Sequence, residues 1–254
     1  MNLVDVIKYF ETKFPKELAY DWDNVGIQVG TLNIVAKKVL ITLDVTKEVV
    51  KEAIEQKVNM ILSHHPLLFN PVDKIIFDTP RGWILKNLIK HNITVYSAHT
   101  NYDLAQGGMN DEFARILSLK NVGLLDEIDG IGRYGDIEKL NIKAFIRDLK
   151  EKLNLESVKV IGNDDKEIER VGISGGSGSK HMYQAKFRGC DVYLTGDVTY
   201  HTALDADSIG ITVIDIGHHS EIIFVDAVAR DLSIQFKEIE FIKSKVDTNP
   251  YKNY

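Results

Sequence analysis

Five of the eight histidines fall in three short segments, and each segment follows an apolar run. The segments are Ser63-His64-His65-Pro66, Ser97-Ala98-His99-Thr100-Asn101-Tyr102-Asp103 and Gly217-His218-His219-Ser220-Glu221. Imidazoles and carboxylates together form a donor set for divalent transition metals. Adjacent side chains at a strand end diverge, so His64 and His65 suit two neighbouring cations better than one. A carboxylate can bridge two cations, and Glu221 follows His218 by three residues, on one face of a helical turn. Three nitrogens and two carboxylates do not fit a closed structural zinc site, which is four-coordinate and usually rich in cysteine. They fit an open dinuclear site with cations about 3.5–4 Å apart, where a metal-bound hydroxide attacks an oxygen-rich substrate.

Each segment also has a plainer reading. His64-His65 could be a surface pair at a turn, although Pro66 fixes the backbone there. Asp103 could cap the helix that follows it. Ser or His followed by Glu221 could form a capping box. A fourth polar cluster, Thr195-Gly196-Asp197-Val198-Thr199-Tyr200-His201, could orient ligands or contact substrate. His99 and His201 are the candidate proton shuttles, while His91 and His181 read as ordinary surface or helix residues. Gly175-Gly176-Ser177-Gly178 could cradle an anion, but it lacks the Lys-Ser or Lys-Thr of a phosphate loop, so a tight turn is the alternative. Trp22 could stack on a base or serve as a core or rim aromatic.

These clusters need strands to end beside them. Leu3, Val6, Ile7, Phe10 and Phe14 recur at three- and four-residue steps, which predicts a helix ended by Pro15. Strands are predicted at 25–29, 39–43, 59–62 and 94–97, with helices at 46–57, 82–91 and 109–119. After a glycine- and acid-containing break at 121–132, helices at 143–153, 182–187, 202–209 and 222–232 alternate with strands at 158–161, 171–174, 192–194 and 212–216. This alternation predicts an α/β fold of two lobes, 1–125 and 126–254, with mixed sheets covered by helices and the metal site between them. The tail from 243 is polar and is expected at the surface.

Composition removes several classes. A net charge of −6 over 254 residues argues against a nucleic-acid backbone as partner. No run reaches the roughly 18 apolar residues of a membrane helix. The first residues lack a secretion signal, and a lone cysteine, Cys190, permits no internal disulfide, so a cytoplasmic location is expected. Cys190 itself reads as a buried hydrophobe rather than a reactive thiol.

The motifs DWDNVGIQVG (21–30), SHHPLLF (63–69), SAHTNYDLAQGGMND (97–111), GISGGSGS (172–179), DVYLTGDVTYH (191–201) and GHHSE (217–221) together resemble the GTP cyclohydrolase 1 type 2 homologs. These are the NGG-interacting-factor-like, YbgI-like dinuclear metal centre proteins. The similarity runs from residue 1 to about 235, and the chain resembles the short form of the family. The resemblance implies two divalent cations per chain (zinc, iron, manganese or nickel) with ligands His64, His65, Asp103, His218 and Glu221. Glu221 would bridge, His65 and Asp103 would complete one metal, and His64 and His218 the other. The choice of His218 over His219 comes from the family pattern alone. Tyr102 stands where the family typically has leucine. The resemblance also implies a ring-shaped homohexamer with metal sites facing an internal cavity. Two functions follow as expectations. One is a metal-dependent hydrolase acting on a nucleotide-like or phosphoester small molecule. The other is a non-enzymatic metal-binding interaction protein or metal chaperone.

Overall fold

The spacing of Leu3, Val6, Ile7 and Phe10 builds a helix, α1 (Leu3–Lys13), whose apolar stripe is fully buried. A computed structural model describes residues 1–252. The next elements are β1 (Gly26–Val29), β2 (Lys38–Thr42), α2 (Lys47–Glu55), β3 (Met60–Ser63), α3 (Pro80–Lys90), β4 (Thr94–Ser97) and the short α4 (Thr100–Leu104). Thr46 and Thr79 start α2 and α3 by accepting from the Val49 and Gly82 amides, as good N-caps do. Strands β2, β3 and β4 lie parallel and side by side, and β1 pairs antiparallel with β4. One face of this sheet, with Leu40, Ile61 and Val95, packs on Val49, Val50, Ala53, Ile84 and Leu88 of α2 and α3. Phe10 meets Tyr96 and Tyr102 on the other side, at 6.4 Å in each case. Burying both faces explains why these strands read as continuous apolar runs.

A second sheet follows: α5 (Met109–Ile116), β5 (Lys120–Leu124), β6 (Arg133–Asn141), α6 (Ile142–Lys152), β7 (Lys159–Ile161), β8 (Glu167–Ile173), α7 (Met182–Phe187), β9 (Val192–Thr195), α8 (Tyr200–Ile209) and β10 (Thr212–Asp215). Its strand order is β5-β6-β8-β9-β10-β7. Here β8, β9 and β10 are parallel, while β5, β6 and β7 pair antiparallel. The pair β5 and β6 occupies much of the stretch read as a break and its aftermath. Strand β5 is mostly exposed and β6 carries charges through its centre, so neither shows clean alternation.

The chain then returns to the first sheet. Helix α9 (Ile223–Gln235) leads to β11 (Glu240–Lys243), which pairs parallel with β2. The compact units are therefore Met1–Gln106 with Phe224–Pro250, and Gly107–Ile223 with Tyr251 and Lys252. These boundaries differ from the expected 1–125 and 126–254. The crossing falls at the glycine pair 107–108, and the return of β11 to β2 cannot be read from local pattern. Both sheets are mixed and flanked by helices, as the alternation predicts. Among the described residues no helix is long and apolar enough to cross a membrane. Cys190 is buried, and that burial pushes its thiol up to about 12, which makes it inert at neutral pH.

Candidate metal centre

In the first unit the clustered imidazoles and carboxylates lie at the carboxyl ends of β2, β3 and β4, the usual location of sites in open α/β sheets. The His64 and His65 amides still donate to Thr42 and Leu43 carbonyls, at 3.2 and 3.0 Å. The two histidines thus leave β3 on a fixed backbone rather than a surface turn. His64 is fully buried, and its Nδ1 lies 2.8 Å from the Ala98 carbonyl. A carbonyl only accepts, so Nδ1 donates and Nε2 is the ring nitrogen left to face Asp103. That Nε2 lies 3.5 Å from Asp103 Oδ1. Rings of Phe224 and Tyr102 pack against His64 at 5.2 and 6.2 Å. Tyr102 is itself buried against Phe14 and Phe224, so it fills an apolar position as leucine would.

His65 Nδ1 lies 2.7 Å from Asp44 Oδ1, and the Thr248 hydroxyl donates to Asp44 Oδ2 at 2.8 Å. The tail as far as Thr248 therefore runs along the surface, as expected, and is tied to the first unit. Ser244 also donates to Glu52 at 2.6 Å, and Val246 packs on the core of α2 and α3. His99 Nδ1 lies 3.0 Å from Asp23, whose other oxygen accepts from the Thr100 amide and hydroxyl at 2.9 and 2.6 Å. Burial opposes ionisation of Asp23, but the bonds from His99 and Thr100 outweigh it and lower its pKa to about 2. One ligand atom from each of His64, His65 and His99 lies within 4.8 Å of the others, a spacing that could hold a metal ion. Asp103 sits within α4 behind the N-cap residue His99, whose own side chain makes no capping bond; Asp23 instead accepts from the Thr100 amide at that helix start. Asp103 is thus not the cap that its position suggested.

In the second unit the carboxyl ends of β8, β9 and β10 carry the matching groups. Glu221 is buried in a turn of 3₁₀ helix, His218–Ile222, which likewise has no side-chain cap, so the capping-box reading fails. His218 Nε2 lies 3.2 Å from Glu221 Oε2, and His218 Nδ1 lies 2.6 Å from Asp197 Oδ2. Ser177 donates to the same Asp197 oxygen at 2.6 Å. Burial works against the charged form of Asp197, yet the bonds from His218 and Ser177 hold its carboxyl below the ordinary value. The glycine loop wraps Glu221: a Cβ on Gly176 would stand 2.6 Å from Glu221 Oε1. Gly176 also has φ +57°, as the tight-turn reading of this loop requires, and the turn lies against the Glu221 carboxylate. His201 is exposed on α8 beside the Tyr200 ring, and Asp197 is the residue of that motif that reaches His218.

Two groups lie elsewhere. His181, read as a surface or helix residue, ends a turn of 3₁₀ helix, is buried and faces Asp126 at 3.3 Å; Lys180 already pairs with neighbouring Asp129 at 3.6 Å. A cleft lined by Ile34, Ala53, Asn59 and Ile93 opens at the amino ends of β2, β3 and β4, opposite the histidines. Asp44 and Thr248 were missed by motif reasoning. Asp44 could have been found by the rule that selected the other clusters, since it also follows a buried strand.

The donors suit a divalent cation: each unit offers imidazoles with one nitrogen fixed by protein and a buried carboxylate alongside. Fold and side chains thus define an α/β protein with two mixed sheets and candidate metal-ligating groups at the carboxyl ends of parallel strands. The chain belongs to the Duf34/NIF3 (NGG1p interacting factor 3) family, whose model matches residues 1–250. It is 38% identical, over 97% of each chain, to the GTP cyclohydrolase 1 type 2 homolog of Streptococcus pneumoniae. Its fold superposes on the Bacillus cereus protein related to NIF3 with a TM-score of 0.95, at 27% identity over 100% of this chain and 99% of that one. Reduced HcgD from Methanocaldococcus jannaschii matches with a TM-score of 0.86, at 30% identity over 97% and 98%.

Proposed function

We propose that the protein binds two divalent cations per chain through His64, His65, Asp103, His218 and Glu221, and hydrolyses a nucleotide-like or phosphoester small molecule. One repeated observation supports this reading. His64, His65, His99 and His218 each turn Nδ1 toward a protein acceptor: the Ala98 carbonyl, Asp44, Asp23 and Asp197. Carbonyls and carboxylates hold a histidine in this way when Nε2 is to coordinate or exchange a proton.

The reading requires His218 and Glu221 to reach the same cations as His64, His65 and Asp103, with Glu221 as the bridge. When bound, the cations acidify a water and offset charge developing on the substrate. His99 is not needed as a ligand in this assignment. Its Nε2 takes and returns a proton while Asp23 steadies the ring. His201, exposed on α8, is the second candidate for proton exchange with solvent. Zinc, iron, manganese and nickel all accept this donor set. We further propose the ring-shaped hexamer and a cytoplasmic location.

The test is turnover by protein loaded with zinc or manganese, offered GTP and bis(4-nitrophenyl) phosphate, with the Asp103→Ala, Glu221→Ala double variant as control. Turnover that disappears in the double variant supports the hydrolase. Activity equal in both proteins overturns it. Metal binding without turnover of either compound leaves the non-enzymatic role as an interaction protein or metal chaperone.

A further inference from the structure

Trp22 is 59% exposed and Phe69 44% exposed, although both rings stand beside the imidazoles of the first unit. Tyr20 stacks on Trp22, with ring centroids 5.5 Å apart and planes 25° apart. Phe69 and His99 meet Trp22 at steep angles, 58° and 75°, with centroids 5.9 and 6.2 Å away. His99 in turn lies 5.2 and 5.6 Å from the rings of His64 and His65. Tyr20 therefore covers one face of the indole, inclined rings form a wall beside it, and much of its remaining surface is open to solvent.

The arrangement is held firmly. Asn24 donates to the Leu68 carbonyl at 2.6 Å, the Leu68 amide donates to Gln28 at 3.1 Å, and Gln28 donates to the Asn24 carbonyl at 2.7 Å. These bonds tie the loop bearing Trp22 to the loop bearing Phe69. Asp23, next to Trp22, is anchored by His99 and Thr100. A pre-ordered aromatic surface binds a flat partner with little further loss of freedom. Its size also selects the partner. Two rings offer far less than the roughly 800 Å² per side of a protein interface, whereas one indole face matches one heterocycle.

We infer that Trp22, walled by Phe69 and His99, is a stacking platform for a planar heteroaromatic ring on the molecule handled at the imidazoles. The link to chemistry rests on the metal reading above; the stacking itself does not.

The chain has two tryptophans, Trp22 and Trp83, so Trp83→Phe makes emission report on Trp22 alone. This protein, metal-free and zinc-loaded, is titrated with guanosine, adenosine and uridine monophosphates and nicotinamide mononucleotide, with ribose 5-phosphate as the control that lacks a heteroaromatic ring. Saturable quenching by at least one ring compound and none by ribose 5-phosphate is expected. By calorimetry, Trp22→Leu and Phe69→Leu each weaken that compound, the former by about tenfold or more, while Trp22→Phe retains most of the affinity. Circular dichroism confirms that each variant is folded. Three outcomes overturn the inference: no quenching by any ring compound, equal binding of ribose 5-phosphate, or a dilution-dependent shift of Trp22 emission without ligand, which would mark burial by a second copy. Zinc content is measured on the same samples. Quenching without zinc binding sinks the metal reading and leaves the platform, and zinc binding without quenching does the reverse.

Discussion

Asp44 lies between His65 and Thr248, with one carboxylate oxygen 2.7 Å from His65 Nδ1 and the other accepting from the threonine hydroxyl at 2.8 Å. A side chain near the carboxyl terminus thus helps to orient an imidazole of the candidate metal centre. Partners of this kind set both ring orientation and donor strength. Asp44→Ala is expected to weaken zinc binding by about 10–100-fold, and Thr248→Val by less, with little change in melting temperature. Competition with a chromophoric chelator measures both. Unchanged affinity in Asp44→Ala would remove Asp44 from the account.

Gly176 and Glu221 provide a second check. A methyl at Gly176 would press on Glu221 Oε1 at 2.6 Å, on a backbone at φ +57°. Gly189 has φ +72° but nothing within 4 Å of its would-be Cβ. Both alanine variants carry a backbone cost of about 1 kcal/mol. Only Gly176→Ala should also displace the carboxylate, losing zinc affinity by more than about tenfold. Equal zinc affinities in the two variants would show that the loop does not seat Glu221.

Asp23 makes stability depend on acid. Its carboxyl lies at about 2 in the folded protein against an ordinary 3.8. A folded value below the unfolded one means the ionised group stabilises fully above about pH 4, and that contribution fades as pH falls through about 2. The shift corresponds to about 2 kcal/mol. Asp23→Asn should therefore be less stable than the parent by about that amount at pH 7, with the gap narrowing between pH 4 and pH 2. Urea unfolding across this range measures it, and a gap as wide near pH 2 as at pH 7 contradicts the assignment.

The candidate ligands were legible because each lies just beyond a strand whose apolar run announces full burial. His64, His99 and His218 stand out as imidazoles in that position. Asp44 obeys the same rule, but a single acid in TLDVT has no histidine beside it to draw attention. Thr248 was out of reach, since its contact with Asp44 spans 204 residues and depends on β11 pairing with β2. The fold class followed from the alternation of strands and helices. The compact units did not, because a chain that leaves a sheet and returns leaves no mark in local periodicity. His181, read as a surface or helix residue, does lie in a turn of 3₁₀ helix, but its polar neighbours Ser179 and Lys180 give no sign of the burial that tertiary packing imposes.

Glu221 carries the central claim, because the proposed pair of cations shares its carboxylate. The most direct measurement is the metal content per chain of the zinc-loaded parent and of Glu221→Ala, by elemental analysis after exhaustive buffer exchange. The account predicts two zinc ions per chain in the parent and at most one in the variant. A parent that retains no zinc, or a variant that retains two, would contradict it.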